Sequence, residues 1–343
     1  MTGVQTCALP ILYTRQYLPR DAHISELVAS LNQINAGVTT TVDTSQVSNS
    51  PEHTDACIAG LRASGRRAVY AYATGQGPGV KFPGDLARLR RDYFSTNDQL
   101  LTLALHTGID AEQWKLARSL GAPIVSHYIS GDLTEAARAG LLGPDNEYIH
   151  CTQIGEADWK RIADTGGHVS IAPAIEMQMK HGMPPLQSAL DHGLKPSLSV
   201  DVECNMAADM FTIMRSAFTL QRALANQRSL AGEKNAPKLM TAREAIEMAT
   251  LHGARCAHLE SKIGSLAPGK EADIILLATD RINVFPLNNV EGAVVTLMDT
   301  SNVDTVFIAG QVRKWRGALV GHDLAALRRD RKSTRLNSSH IPL

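Results

Sequence analysis

The chain has 343 residues, with 34 Lys and Arg against 34 Asp and Glu and 44% hydrophobic residues. This charge balance argues against a nucleic-acid or anionic-membrane partner, and no apolar run reaches the roughly eighteen residues needed to span a bilayer. The five cysteines form no C-x-x-C pair, so reduced thiols and a cytoplasmic setting are expected.

Residues 22–36 place Ile24, Leu27, Leu31 and Ile34 on one helical face, closed by Gly37. The β-branched VTTTVD (38–43) reads as a strand. Ser50 and Pro51 then open a helix running to Gly65. The same alternation continues, with strands at 66–73, 100–106, 122–128, 147–151, 168–174 and 196–201. Helices at 85–93, 111–120, 133–142, 156–165 and 185–192 lie between them. Strand after helix with short links means parallel strands joined by right-handed crossovers. Seven strands follow a helix that lacks its own, so one strand upstream would complete a (β/α)8 barrel. The expected fold is therefore α/β, a TIM-type barrel over residues 12–260 missing its first strand. After helices at 209–226 and 241–258, strands expected at 272–277, 294–297 and 303–309 form part of a small β-sandwich over 261–321.

Two end segments fit neither pattern. TGVQTCALPI (2–11) and DRKSTRLNSSH (330–340) match translated sequencing adapters, which predicts that residues 1–11 and 330–343 are not native. A native stretch is then expected upstream of Leu12, and Cys7 carries no meaning. CALPIL is too short, and lacks the basic start, for a signal peptide.

The chemistry concentrates at strand ends. His127 ends APIVSHY, His150 ends EYIHC, and Asp201 ends the apolar strand of KPSLSVD. A carboxylate at the carboxyl end of a buried strand is costly unless a metal or a proton-transfer role holds it there. Taken alone, Asp201 could equally cap the helix that follows, and a lone strand-end histidine is more often structural. Three such residues at the ends of three strands of one barrel favour a metal site. In the loop after the sixth of these strands, Glu176 is a candidate to supply a carboxylate to the substrate, and Gln178 and His181 are candidates for shaping the pocket. His106 reads as a core or rim residue, and Cys151 and Cys204 as buried thiols. The glycine-rich 74–84 lacks a Lys-Ser/Thr partner and reads as a turn.

A late helix T-x-x-E-x-I-x-M-A-T-x-x-G-A, then IGSLAPGKEADIILL, then VDTVFIAGQVR resembles the C-terminal signature of the amidohydrolase superfamily, most of all its cytosine deaminase and triazine hydrolase-like branch. The resemblance covers residues 17–321. It implies hydrolysis of a non-peptide C–N bond in a small cyclic or planar nitrogen compound by a metal-activated water. One divalent ion is implied, zinc fitting nitrogen and oxygen donors best, with iron or manganese as alternatives. His127, His150 and Asp201 take the ligand positions, and Asp201 and His150 also the catalytic ones, as proton acceptor and orienting group. The family's H-x-H pair on the first strand is not in this chain, which implies weak metal binding and an inactive fragment with an open sheet edge. Where related deaminases carry a proton-shuttling glutamate, this chain has Ser130. That favours an amidase, or loss of another leaving group, over nucleobase deamination. The partner implied is a small molecule, and relatives of this kind are often homo-oligomers. The competing reading is a catalytically silent scaffold or binding protein on the same fold.

Overall fold

The computed structural model describes residues 15–203 and 205–333; the segments 1–11 and 334–343, and Cys7 and Cys204, lie outside the described residues. Helix α1 (Pro19–Asn35) leads into β1 (Thr40–Ser45), and the β/α alternation read from the sequence follows. The units are α2 (Pro51–Ser64), β2 (Arg67–Tyr72), α3 (Leu86–Asp92), β3 (Leu101–His106), α4 (Ala111–Ser119), β4 (Ile124–Tyr128), α5 (Thr134–Arg138), β5 (Asn146–His150), α6 (Glu156–Thr165) and β6 (His168–Ile171). After α7 (Pro173–Gln178) and α8 (Leu186–Asp191) comes β7 (Ser197–Leu198). The seven strands form one parallel sheet in sequence order, with β1 and β7 as its two edges.

Two layers of core result from the two-residue side-chain period of a strand. In β2, Ala68, Tyr70 and Tyr72 join the layer between sheet and helices, together with Phe94, Trp114 and Tyr148. The alternate residues Val69 and Ala71 face inward with Ala104 and Val125, meeting Ala254, Ala257 and Ile263. The outer layer carries the bulk, and truncating the fully buried Trp114 should cost about 3–5 kcal/mol. The inner face is built from small side chains and leaves a cavity of about 450 Å³ between β1 and β7. At Gly60 helices α1 and α2 cross in contact, since a Cβ there would lie 2.5 Å from the His23 carbonyl oxygen. Gly75 likewise lets the 74–84 loop pass over Ser48, whose carbonyl carbon a Cβ would meet at 2.2 Å. That loop packs against its neighbour as a turn.

Helix α9 (Met210–Leu230) starts at Asp209, whose carboxylate accepts the Thr212 N–H at 2.7 Å. Asp209, not Asp201, is therefore the cap of this helix. Helix α10 (Ala242–Glu247) opens on a Thr241–Glu244 capping box. It passes through a π-helical turn (Met248–His252) into α11 (Gly253–Cys256).

A second, antiparallel sheet of four strands holds β8 (Ile274–Leu277), β9 (Val303–Ile308), β10 (Gln311–Trp315) and β11 (Ala318–Leu319), in the order β11-β10-β9-β8. The chain ends its described part in α13 (Leu324–Ser333). The strand expected at 294–297 is instead helix α12 (Val290–Thr296). The Asn289 side chain accepts the Gly292 N–H, and the helix packs against α9 and α10, so capping and tertiary contact override the β-branched run. Strand β7 is also shorter than expected and stops at Leu198, paired only with β6.

The GKEAD stretch ties the two sheets together. Arg67, fully buried at the start of β2, donates to Asp273 at 2.8 and 2.9 Å and to Glu271 at 2.6 Å. Asp273 also accepts the Ala309 N–H at 2.8 Å, reaching the end of β9. Lys314 of β10 donates to the Asn35 carbonyl at 2.7 Å, tying the small sheet to the end of α1.

Candidate active site

Parallel pairing brings the strand ends level. His127 is in register with Ile149 and Tyr128 with His150, so both histidines reach the carboxyl end of the sheet. His150 is buried in a left-handed conformation, φ 76°, with Cys151 at 53° beside it. Asp201 lies three residues past the end of β7, also left-handed at φ 62°. Such backbone costs roughly 1–3 kcal/mol per residue outside glycine, and it collects where surrounding structure holds a functional geometry. Of the seven non-glycine residues with positive φ among the described residues, four (His150, Cys151, Lys180 and Asp201) fall on the strand ends and loops of this site.

His150 is clamped from one side. Its Nδ1 stands 3.0 Å from Glu176 Oε1, which also accepts the Ala172 N–H at 2.9 Å. An ionised carboxylate can only accept, so Nδ1 is the donor of this contact and Nε2 is the nitrogen turned toward Asp201. Nε2 faces Asp201 Oδ2 at 3.8 Å, too far for a hydrogen bond. Glu176 is fully buried at the first turn of α7, and its Oε2 has no hydrogen-bond partner.

His127 is backed in its turn by His106 at the end of β3. His106 Nε2 and His127 Nδ1 are 2.6 Å apart, with the rings edge to face. Burial lowers both pKa values, His106 to about 4 and His127 to about 3, the latter helped by the neighbouring histidines. Both rings are therefore neutral and share one proton in the contact. From the sequence His106 reads as a core or rim residue; its strand-end position, one strand over from His127, is the signal that links it to the site.

The His181 ring centroid lies 5.2 Å from that of His150, and its Nδ1 is buried without a hydrogen-bond partner. Gln178 is exposed at the last residue of α7 and is not brought into the site. Ser130 is exposed in the turn after β4. The Asp201 side chain is one-fifth exposed. Burial raises its pKa, while His150 and His181 pull it back down. Cys151 is buried and its thiol is pushed well up by desolvation, which makes it no nucleophile. Among the described residues, no three His, Cys, Asp or Glu side chains are gathered closely enough to hold an ion.

A profile of the amidohydrolase family matches residues 96–313. The chain belongs to the amidohydrolase family. Among its relatives is a 5-methylthioadenosine/S-adenosylhomocysteine deaminase of Teredinibacter turnerae, 31% identical over 180 residues, 52% of this chain and 39% of that protein. A 5'-deoxyadenosine deaminase of Methanothermobacter thermautotrophicus is 31% identical over 174 residues, 50% of this chain and 38% of the relative. The matched part thus spans about two-fifths of the length of these relatives. The fold resembles that of a zinc-bound adenosine deaminase from Xanthomonas campestris, with TM-score 0.81, 21% identity and coverage of 96% of this chain and 78% of that one. An atrazine chlorohydrolase from Arthrobacter aurescens, complexed with zinc, has TM-score 0.78 at 17% identity, covering 96% and 81%. These solved amidohydrolase-type structures match the α/β barrel architecture expected from the repeat. Among the described residues no helix is long and apolar enough to cross a membrane.

Proposed function

We propose that this amidohydrolase is a metal-dependent hydrolase of non-peptide C–N bonds, amidase- or deaminase-like, acting in the cytoplasm on a small cyclic or planar nitrogen compound. The observation that carries the reading is His150, held in strained backbone with Nδ1 tied to a buried carboxylate and Nε2 turned to Asp201. A carboxylate behind a histidine is how metal-ligating imidazoles are oriented and made more basic. The donor types, two imidazoles and one carboxylate, fit a divalent ion, although they are not drawn together into a closed cluster among the described residues. His127, His150 and Asp201 are the residues that would hold it, zinc suiting them best and iron or manganese less well.

Bound by these residues, such an ion would supply the Lewis acidity that lowers the pKa of a water toward neutrality. Asp201, its pKa raised by burial, accepts that water's proton and returns it to the leaving nitrogen. His150, with its tautomer fixed by Glu176, orients the attack and meets developing charge on the substrate. The names of the relatives favour an exocyclic amino group on an aromatic ring, lost as ammonia, whereas Ser130 offers no carboxylate to shuttle the proton to a ring nitrogen. The competing reading, a silent scaffold, draws on the open arrangement of the three donors.

Cobalt(II) titration followed by visible absorption tests the site. Weak, saturable uptake of one ion is expected, with loss in the His127→Ala, His150→Ala and Asp201→Ala variants. Variants that bind as well as the parent would overturn the metal reading. Ammonia release from amino-substituted heterocycles, with metal in excess, then separates enzyme from scaffold.

A further inference from the structure

Four imidazoles follow one another across the strand ends. The ring centroids of His106, His127, His150 and His181 are spaced 4.8, 5.4 and 5.2 Å apart. The first three belong to β3, β4 and β5, and His181 continues the series from the loop after α7. Its ring meets that of His150 edge to face, at 76°. It does not orient His150, because Glu176 holds Nδ1 of that ring and Asp201 faces Nε2.

The main chain of His181 is fixed by three hydrogen bonds. Its N–H donates to the Glu176 carbonyl at 3.0 Å. Its carbonyl accepts from Thr152 Oγ1 at 2.8 Å and from Gln153 Nε2 at 2.7 Å, which uses both lone pairs. Gln153 also donates its N–H to the Ile129 carbonyl at 2.8 Å, two residues past His127, so the loops after β4, β5 and α7 are joined here. Gly182 has φ 128°, and a Cβ there would lie 3.1 Å from Thr152 Cβ, so the loop lies close on this clamp. None of these residues lines the cavity between β1 and β7, and β4, β5 and β6 each have a strand on both sides.

The backbone position is thus set while the ring is left for another partner. Nδ1 is buried without a hydrogen-bond partner, and the residue is part-exposed, so Nε2 is the nitrogen a ligand can reach. With no acceptor at Nδ1, the proton is held at less cost on Nε2, and the ring offers an N–H donor.

We infer that His181 is a substrate contact of this site, donating from Nε2 to an acceptor on the edge of a planar ring bound against His150, with Thr152 and Gln153 as its positioning residues. A molecule seated beside His150 meets His181 at its flank, because the two rings are in contact. A site built around a hydrogen-bond donor rejects an isosteric ring that lacks the acceptor. The inference rests on the proposed function for the reaction and deepens it by naming what selects the substrate, a ring nitrogen or carbonyl oxygen near the reacting carbon.

The probes are 4-aminopyrimidine and aniline, which share shape and amine but differ in ring nitrogens. Each is titrated at pH 8 into the metal-free full chain, labelled with 15N at histidine. The His181 Nε2 resonance, assigned by its absence from His181→Phe, should shift on saturation with 4-aminopyrimidine and stay in place with aniline. The heterocycle should bind about tenfold more tightly, the worth of one hydrogen bond, and His181→Phe should bring the ratio close to one. Thr152→Val combined with Gln153→Leu frees the carbonyl and keeps the ring. It should cut the preference about threefold, whereas Thr152→Ser should preserve it. A silent His181 resonance, a ratio near one in the parent, or a ratio that survives His181→Phe would overturn the inference. A ratio unchanged by the double variant would remove Thr152 and Gln153 from it. The assay needs neither metal nor turnover. A His181-dependent preference in a chain that takes up no cobalt would sink the hydrolase reading and leave this contact standing. Cobalt uptake and ammonia release, with a preference indifferent to His181→Phe, would do the reverse.

Discussion

His150 and Glu176, 26 residues apart in sequence, form a buried pair in which the imidazole Nδ1–H donates to Oε1 at 3.0 Å. Replacing Glu176 by Ala leaves that N–H buried and unpaired, which should destabilise the protein by about 1–3 kcal/mol. Cobalt affinity should fall about 10- to 100-fold, as for other oriented metal histidines. Glu176→Gln offers a carbonyl in the same place and should recover most of the stability but only part of the affinity. Chemical denaturation and cobalt titration of the pair of variants check this. Equal affinity in all three proteins would remove Glu176 from the site.

His106 makes the corresponding contact to His127 at 2.6 Å. His106→Phe keeps the bulk and removes the partner, freeing the His127 ring to turn. Metal affinity is expected to drop about tenfold with little loss of stability. A variant with the parent's affinity would return His106 to a packing role.

Arg67 is the tie between barrel and small sheet. Arg67→Ala strands the carboxylate of Asp273, which is 3% exposed, and should cost about 3–5 kcal/mol. Pairing it with Asp273→Ala should restore part of that loss. A double-mutant cycle with no coupling energy would show that the two residues act separately.

Glu147 sets a pH dependence whose sign follows from its raised pKa. The unfolded carboxyl ionises near 4.5 and the folded one near 7, so the folded state holds the extra proton between these values. Stability is therefore fully present below about pH 4.5 and is lost as pH rises through 7. The loss is on the order of 3 kcal/mol, converting the shift at 1.36 kcal/mol per unit. Glu147→Gln should flatten this slope, seen in urea midpoints from pH 5 to 8. A parallel slope in parent and variant would contradict it.

The edges β1 and β7 leave unpaired backbone groups at both ends of the sheet. Edge strands of this kind pair with other copies. The chain is expected to self-associate in light scattering with size-exclusion chromatography, and Thr41→Lys on β1 to reduce it. A monodisperse monomer would sink this expectation.

The sequence by itself determined the repeat, and with it the sheet. Strand and helix periods are local properties of pattern, and short links leave parallel strands only one way to pair. Strand-end position likewise pointed to His127, His150 and Asp201. It could not show that β7 would stop at Leu198, because strand length there depends on a neighbour on its free side. Nor could it tell that Val290–Thr296 would coil, since the apolar run fits either period until α9 and α10 pack against it. Above all, only the tertiary structure decided which polar groups meet. Glu176 of α7 behind His150, His106 behind His127 and Glu147 beside Ser170 and Cys256 are contacts between separate elements. The direction of a side chain between layers is set by packing, which no single stretch of sequence contains.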